Sequence, residues 1–161
     1  MKLFRLILPV ALVVLAPLAP LGISTSAHAF FGFGGKYETV QPQGETIRIK
    51  AADITPTAKF YALKDGTTEI RFFVVKGPDG TPRAALDACD VCWREGKGYR
   101  QEGANMVCEN CGMVFNTARI NEVRGGCNPH PLERTMDASG DLLLRVAELK
   151  AGARYFATAR K

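Results

Sequence analysis

The chain has 161 residues, 47% of them hydrophobic and 23% charged, with a formal net charge of +5, five cysteines and two histidines. These proportions belong to an ordinary globular chain with room for one domain, and they exclude a disordered segment, a collagen-like repeat and a polytopic membrane protein. The basic residues form no stripe interleaved with aromatics and no recognition helix, so nucleic acid is not an expected partner.

In chain order, residues 1–29 have the layout of a secretory signal. Lys2 and Arg5 come first, an apolar run from Leu6 to Ile23 follows, broken by Pro9, Pro17 and Pro20, and Ala27-His28-Ala29 closes it. Cleavage there leaves residues 30–161 with 19 basic against 16 acidic residues, a net charge of +3. The expected location is periplasmic or otherwise extracytoplasmic. The alternative is a retained anchor in the inner membrane over residues 6–23, against which the prolines and the Ala-x-Ala end argue. The signal has no twin-arginine pair, which indicates export as an unfolded chain. Residues 30–44 open with Phe30-Phe31-Gly32-Phe33-Gly34-Gly35. No strand precedes this stretch and no Lys-Ser/Thr pair follows, so it reads as a flexible lead-in rather than a phosphate loop.

From residue 45 to 161 the pattern is that of a single, mostly β, antiparallel domain with two Cys-x-x-Cys metal-binding loops. Thr46 to Lys50 alternates strictly, and Lys59 to Leu63 with Glu69 to Lys76 predict a hairpin around Lys64-Asp65-Gly66. The second arm, Ile70 to Val75, is almost entirely β-branched or aromatic, which suits a strand covered on both faces. Gly77-Pro78-Asp79-Gly80 is a turn, and Arg83 to Asp87 is the next strand. Past the cysteines, Leu142 to Val146 and Tyr155 to Ala159 read as closing strands joined through at most one helical turn. The last twelve residues carry Lys150, Arg154, Arg160 and Lys161 with no acid, which suits a solvated end or an anionic lipid surface.

The five cysteines all fall within residues 89–127. Cys89-Asp90-Val91-Cys92 and Cys108-Glu109-Asn110-Cys111 are two Cys-x-x-Cys pairs, and two such turns side by side deliver four thiolates to one centre. Zinc, mononuclear iron, an iron–sulfur cluster and copper(I) all suit four thiolates. Two disulfides are the alternative in an oxidising compartment, but the repeated close spacing and the unpaired fifth cysteine argue for metal. Gly112 relieves crowding where backbone N–H groups turn toward sulfur, whereas Trp93 holds the equivalent place after the first pair. Cys127, in Gly125-Gly126-Cys127-Asn128-Pro129-His130-Pro131, is either a further ligand on a loop folded over the site or a buried thiol in a rigid turn. His130 is a weaker candidate ligand, with a surface role as its alternative. Nothing resembles an acid–base pair. Thiol–disulfide exchange lacks the βαβ context and helix N-terminus that would activate a thiol.

Ile70 to Lys76, Ala84 to Cys92, Gly96-Lys97-Gly98-Tyr99, Val107 to Asn116, Ile120-Asn121 and Gly125 to Pro129 together resemble the FtrD-like membrane iron–sulfur domain family. The resemblance spans about residues 45–160. It implies iron or an iron–sulfur cluster on Cys89, Cys92, Cys108 and Cys111, with electrons passed to a membrane iron permease or a redox partner protein in bacterial ferrous iron uptake. Trp93, Tyr99 and Phe115 would shield the centre, or simply belong to the core. A second likeness is architectural. Two metal-binding loops, the second followed by Gly-x-x-Phe, and then a glycine-rich loop ending in Pro-Leu, is the layout of Rieske-type β domains, with Cys92 and Cys111 where those carry histidines. Four thiolates put more negative charge on a cluster than two thiolates and two imidazoles, which favours a lower reduction potential.

Overall fold

The computed structural model describes residues 35–157. The expected signal, the first residues of the lead-in (30–34) and the last residues of the expected final strand lie outside them. The described residues form three small sheets.

The central sheet has the order β1-β3-β4-β5, made of β1 (Tyr37–Val40), β3 (Lys59–Asp65), β4 (Thr68–Lys76) and β5 (Pro82–Leu86). The hairpin β3–β4 pairs from Lys59↔Val74 to Asp65↔Thr68, and β4 pairs antiparallel with β5 from Phe72↔Leu86 to Lys76↔Pro82. β4 is the strand read as covered on both faces, and its alternation shows how. Ile70, Phe72 and Val74 enter one apolar cluster, with Phe72 fully buried, while Phe73 and Val75 enter a second on the opposite face.

The first cluster is closed by the sheet β2-β10-β9, formed by β2 (Thr46–Ile49), β10 (Leu142–Arg145) and β9 (Arg134–Met136), which contributes Ile47, Ile49, Leu142 and Leu144. The second cluster is closed by the sheet β6-β7-β8, formed by β6 (Tyr99–Glu102), β7 (Asn105–Cys108) and β8 (Val114–Asn116). It gathers Phe73, Val75, Tyr99, Met106 and Ile120 around the buried Cys89 and Cys108, with Cys92 and Cys127 packed against them. The metal-binding loops are therefore built on an apolar core of their own.

Two elements differ from the sequence expectation. β1 lies in the stretch read as a lead-in, and it pairs parallel with β3 from Tyr37↔Phe60 to Val40↔Leu63, the one parallel pairing among the described strands. Its exposed Glu38 and Thr39 give it the polarity of an edge strand, which hides it from a hydrophobic pattern search. At the other end, the expected strand beginning at Tyr155 is absent as far as the described residues reach. The chain instead forms helix α1 (Val146–Ala151) and continues as a 3₁₀ turn over Gly152–Tyr155. Leu149 from α1 and Tyr155 are buried in the first cluster, and Gly152 fits because a Cβ there would stand 2.4 Å from a Leu86 methyl carbon. Six helical residues bury too short an apolar stripe for a periodicity argument to find.

Candidate metal centre

Strand β5 and the loops around it fix three of the five cysteines. Cys89 follows β5 by three residues, and the chain at 130–132 runs back along that strand. Leu86 N–H donates to the His130 carbonyl at 2.8 Å, His130 N–H to Ala88 at 3.0 Å and Leu132 N–H to Ala84 at 3.1 Å. This added antiparallel segment, bridged at Ala85↔Pro131, brings Cys127 back onto the Cys89-x-x-Cys92 turn. Asn121 holds the return in place. Its side-chain amide donates to the carbonyls of Ala84 and Leu132 and its oxygen accepts from Ala84 N–H at 2.9 Å, with the residue itself in the left-handed region at φ 74°. The buried Arg83 ties the same loop to β5 through the Ile120 carbonyl, Glu122 and Asp79.

The second pair is set by the β7–β8 turn. Cys108 ends β7 and pairs opposite Tyr99. Gly112 N–H closes the turn onto the Cys108 carbonyl at 2.9 Å, and Cys108 N–H donates to Met113 at 2.9 Å. Gly112 has φ 75°, and a Cβ there would meet nothing within 4 Å, so the glycine answers to backbone conformation and not to the crowding expected from the sequence. Backbone amides do point at sulfur. Those of Asn110 and Cys111 face the Cys108 thiol, that of Met113 faces Cys111, and Cys92 N–H donates to Cys89 Sγ at 3.1 Å.

All five cysteines are brought together as free thiols. Their sulfurs fall into two mutually close threes, Cys89–Cys92–Cys127 and Cys92–Cys108–Cys111, each with every pair within 4.8 Å, and Cys92 belongs to both. The Cys92 and Cys127 sulfurs are 3.8 Å apart. Burial is graded across the group, with Cys89 and Cys108 buried, Cys92 and Cys127 intermediate and Cys111 exposed. Val91 and Met113, beside the cysteines on the two turns, are 62% and 53% exposed, so this end of the molecule meets solvent through apolar side chains and one thiol.

The same gradient separates the thiols chemically. The Met113 amide, with hydrogen bonds from neighbouring thiols, brings Cys111 down to about 7, while burial pushes Cys108 up to about 11 and raises Cys127 further. In reduced, metal-free protein Cys111 therefore carries more thiolate character at pH 7 than an ordinary cysteine, of which only a few per cent is ionised there. Iodoacetamide at that pH is expected to label Cys111 first, with Cys108 and Cys127 last, and the Cys111 rate should fall as pH drops below 7. Peptide mapping after a short pulse reads the order, and equal labelling of all five contradicts it.

Tyr99 and Phe115, read from the sequence as either shield or core, belong to the second apolar cluster, with rings 6.2 Å apart in a T-shaped pair, and Tyr99 Oη donates to the Cys127 carbonyl at 2.6 Å. Trp93 stacks edge-on to Tyr155 at 6.2 Å, on the side of the first cluster. His130 lies outside both groups of sulfurs. Its Nδ1 is 3.1 Å from Tyr155 Oη, whose hydroxyl also donates to Asp90, and burial holds its pKa below the usual histidine value.

One residue that the sequence did not single out underlies the site. Asp87, with a side chain 0% exposed, accepts from Tyr99 N–H at 2.7 Å, Tyr37 Oη at 2.5 Å and Lys36 Nζ at 3.0 Å, so it joins β1 to the strand that faces Cys108. Gly98 must be glycine beside it, because φ is 73° and a Cβ would stand 2.4 Å from the Asp87 carboxylate. An acid directly after the apolar run Ala84-Ala85-Leu86 is the one signal that points to Asp87.

A β domain that brings the four thiols of two knuckle-like turns and a fifth from a return loop together, with amide N–H groups aimed at sulfur, has the donor set of a thiolate metal-binding module, and a soft, partly buried set of this kind suits iron–sulfur ligation. Residues 54–156, more than half of the chain, match the family described as membrane iron-sulfur containing protein, FtrD-like, and the chain belongs to that family. No curated protein and no solved structure matched it. Among the described residues no helix is long and apolar enough to cross a membrane.

Proposed function

We propose that the chain is an exported single-electron carrier whose iron–sulfur centre is held by Cys89, Cys92, Cys108 and Cys111, working with a membrane iron permease or another redox partner in iron uptake. The observation that carries this reading is the division of the sulfurs. A single zinc ion with four thiolates at about 2.3 Å needs every sulfur pair about 3.8 Å apart. Here the four Cys-x-x-Cys sulfurs do not form one mutually close set. Cys92, Cys108 and Cys111 cluster, and Cys89 is grouped with Cys92 and Cys127 instead. Donors spread in this way suit a centre with more than one metal atom, in which the thiolates are shared among irons. When bound, such a centre supplies one-electron redox chemistry.

The chain's own residues then have definite tasks. Cys89 and Cys108 anchor the centre in the apolar cluster, and the amides facing their sulfurs offset negative charge. Tyr99 and Phe115 exclude water from one flank, while the exposed Cys111 leaves a short path to a partner. Four thiolates place the expected potential below the Rieske range, toward the roughly −400 mV of plant-type ferredoxins. The family's description as a membrane protein and the signal-like residues 1–29 support an extracytoplasmic site at the membrane.

Anaerobic purification from the native compartment tests the proposal. Visible absorption bleached by dithionite, with iron and acid-labile sulfide both present, is the expected result. A colourless protein carrying one zinc overturns it and leaves structural zinc. Copper in place of iron would point to metal delivery.

A further inference from the structure

Cys127 is the thiol that a four-ligand centre leaves over, yet the fold takes trouble to place it. The segment 130–132 is laid along β5, Asn121 bridges the two with one hydrogen bond to Leu132 and two to Ala84, and Tyr99 Oη holds the Cys127 carbonyl at 2.6 Å. The outcome is a sulfur 3.8 Å from Cys92 and within 4.8 Å of Cys89. Three thiolates around one ion at about 2.3 Å stand about 4.0 Å apart, so either close three is near the size of a trigonal thiolate site. Trigonal all-sulfur coordination is the preference of soft monovalent d¹⁰ ions, above all copper(I).

From this geometry we infer that the five thiols also constitute a two-ion copper(I) site. One ion sits on Cys89, Cys92 and Cys127, the other on Cys92, Cys108 and Cys111, with Cys92 bridging them. Filling it is a ligand exchange without change of oxidation state. The thiols give up their protons to solvent as S–Cu bonds form, and any resident metal is displaced. The inference does not depend on iron being that resident metal. It does make copper(I) a direct competitor for the sulfurs that would hold iron, with Cys127 as the ligand that copper uses and iron does not.

The test is an anaerobic titration of the protein as purified with a copper(I) salt, in the presence of a copper(I)-chelating dye, read by native mass spectrometry. The wild-type chain is expected to saturate at two ions, one for each three-sulfur group. Cys127→Ser and Cys111→Ser should each stop at one, because each removes a ligand from a different group. Cys127→Ser keeps the loop anchored, since Tyr99 bonds the backbone carbonyl and not the thiol, and the exposed Cys111 provides a second variant with little bearing on folding. Saturation of the wild type at one ion, or two ions retained in both variants, overturns the inference. A colourless, iron-free native protein that still takes two copper(I) ions would refute the electron-carrier reading alone.

Discussion

Cys108→Ser is expected to empty the centre. Anaerobically purified variant protein should lose the visible absorption of the wild type and retain bound iron only near background, while its far-UV circular dichroism keeps a β signature. Cys108 is the thiol with the least freedom to be replaced. It ends β7 in register with Tyr99, it is 2% exposed, and it lies within the apolar cluster that also buries Cys89. Its sulfur takes the amides of Asn110 and Cys111, and its backbone closes the turn at both Gly112 and Met113. Cys127 is grouped with Cys89 and Cys92 and not with Cys108, so no spare thiol stands at that corner. A serine hydroxyl there offers a hard oxygen that stays protonated at neutral pH, a poor substitute for thiolate toward iron. Cys111→Ser serves as the comparison. Cys111 is exposed and has Cys92 and Cys108 as its group partners, so its loss should leave part of the iron bound in a more labile form. Equal loss in the two variants would show that burial does not grade the ligands; full iron content in Cys108→Ser would remove Cys108 from the ligand set.

The sequence made the clustering of the Cys-x-x-Cys thiols legible because their spacing itself brings them together. A Cys-x-x-Cys turn brings two sulfurs together whatever surrounds it, so Cys89, Cys92, Cys108 and Cys111 could be named without coordinates. The strands β2 to β5 were legible for a similar reason. Alternation and turn residues are local signals, and β4 announces its two buried faces in Ile70 to Val75. The features that stayed hidden depend on distant partners. β1 is a polar edge strand that forms by parallel pairing with a strand about twenty residues on. α1 is too short to show a stripe. Whether Cys127 reaches the other sulfurs depends on the return of residues 130–132 along β5, which involves contacts across more than forty positions in the chain. His130 carried a ligand's chemistry but is held by Tyr155 and Asp90, away from the sulfurs.

Asp87→Ala is expected to be the most damaging change outside the cysteines, lowering stability by about 3–5 kcal/mol, the range for leaving a buried charged network without one of its partners. For a domain of this size that corresponds to a fall of roughly 10–20 °C in melting temperature. The carboxylate is fully buried and answers three donors from two distant parts of the chain: the adjacent Lys36 and Tyr37 at the start of β1, and the Tyr99 backbone on β6. Removing it leaves the Tyr99 N–H and the Tyr37 hydroxyl in the interior with no acceptor, and it opens the space against Gly98. Lys36→Met removes the ion pair together with the Lys36 Nζ bond to the Tyr99 carbonyl at 2.5 Å, and leaves the rest of the network in place. The Lys36 side chain is 31% exposed, so solvent takes up most of what is lost, and Asp87 keeps its other two donors. That variant should cost about 1 kcal/mol. The damage in Asp87→Ala should also reach the centre, because Tyr99 both faces Cys108 in the β6–β7 register and holds the Cys127 carbonyl. Iron content and melting temperature should therefore fall together in Asp87→Ala, whereas Lys36→Met keeps its iron. Denaturant melts of the two single variants and the double variant measure the coupling. An Asp87→Ala protein as stable as wild type would mean that the buried carboxylate is not what joins the edge strand to the metal-binding loops.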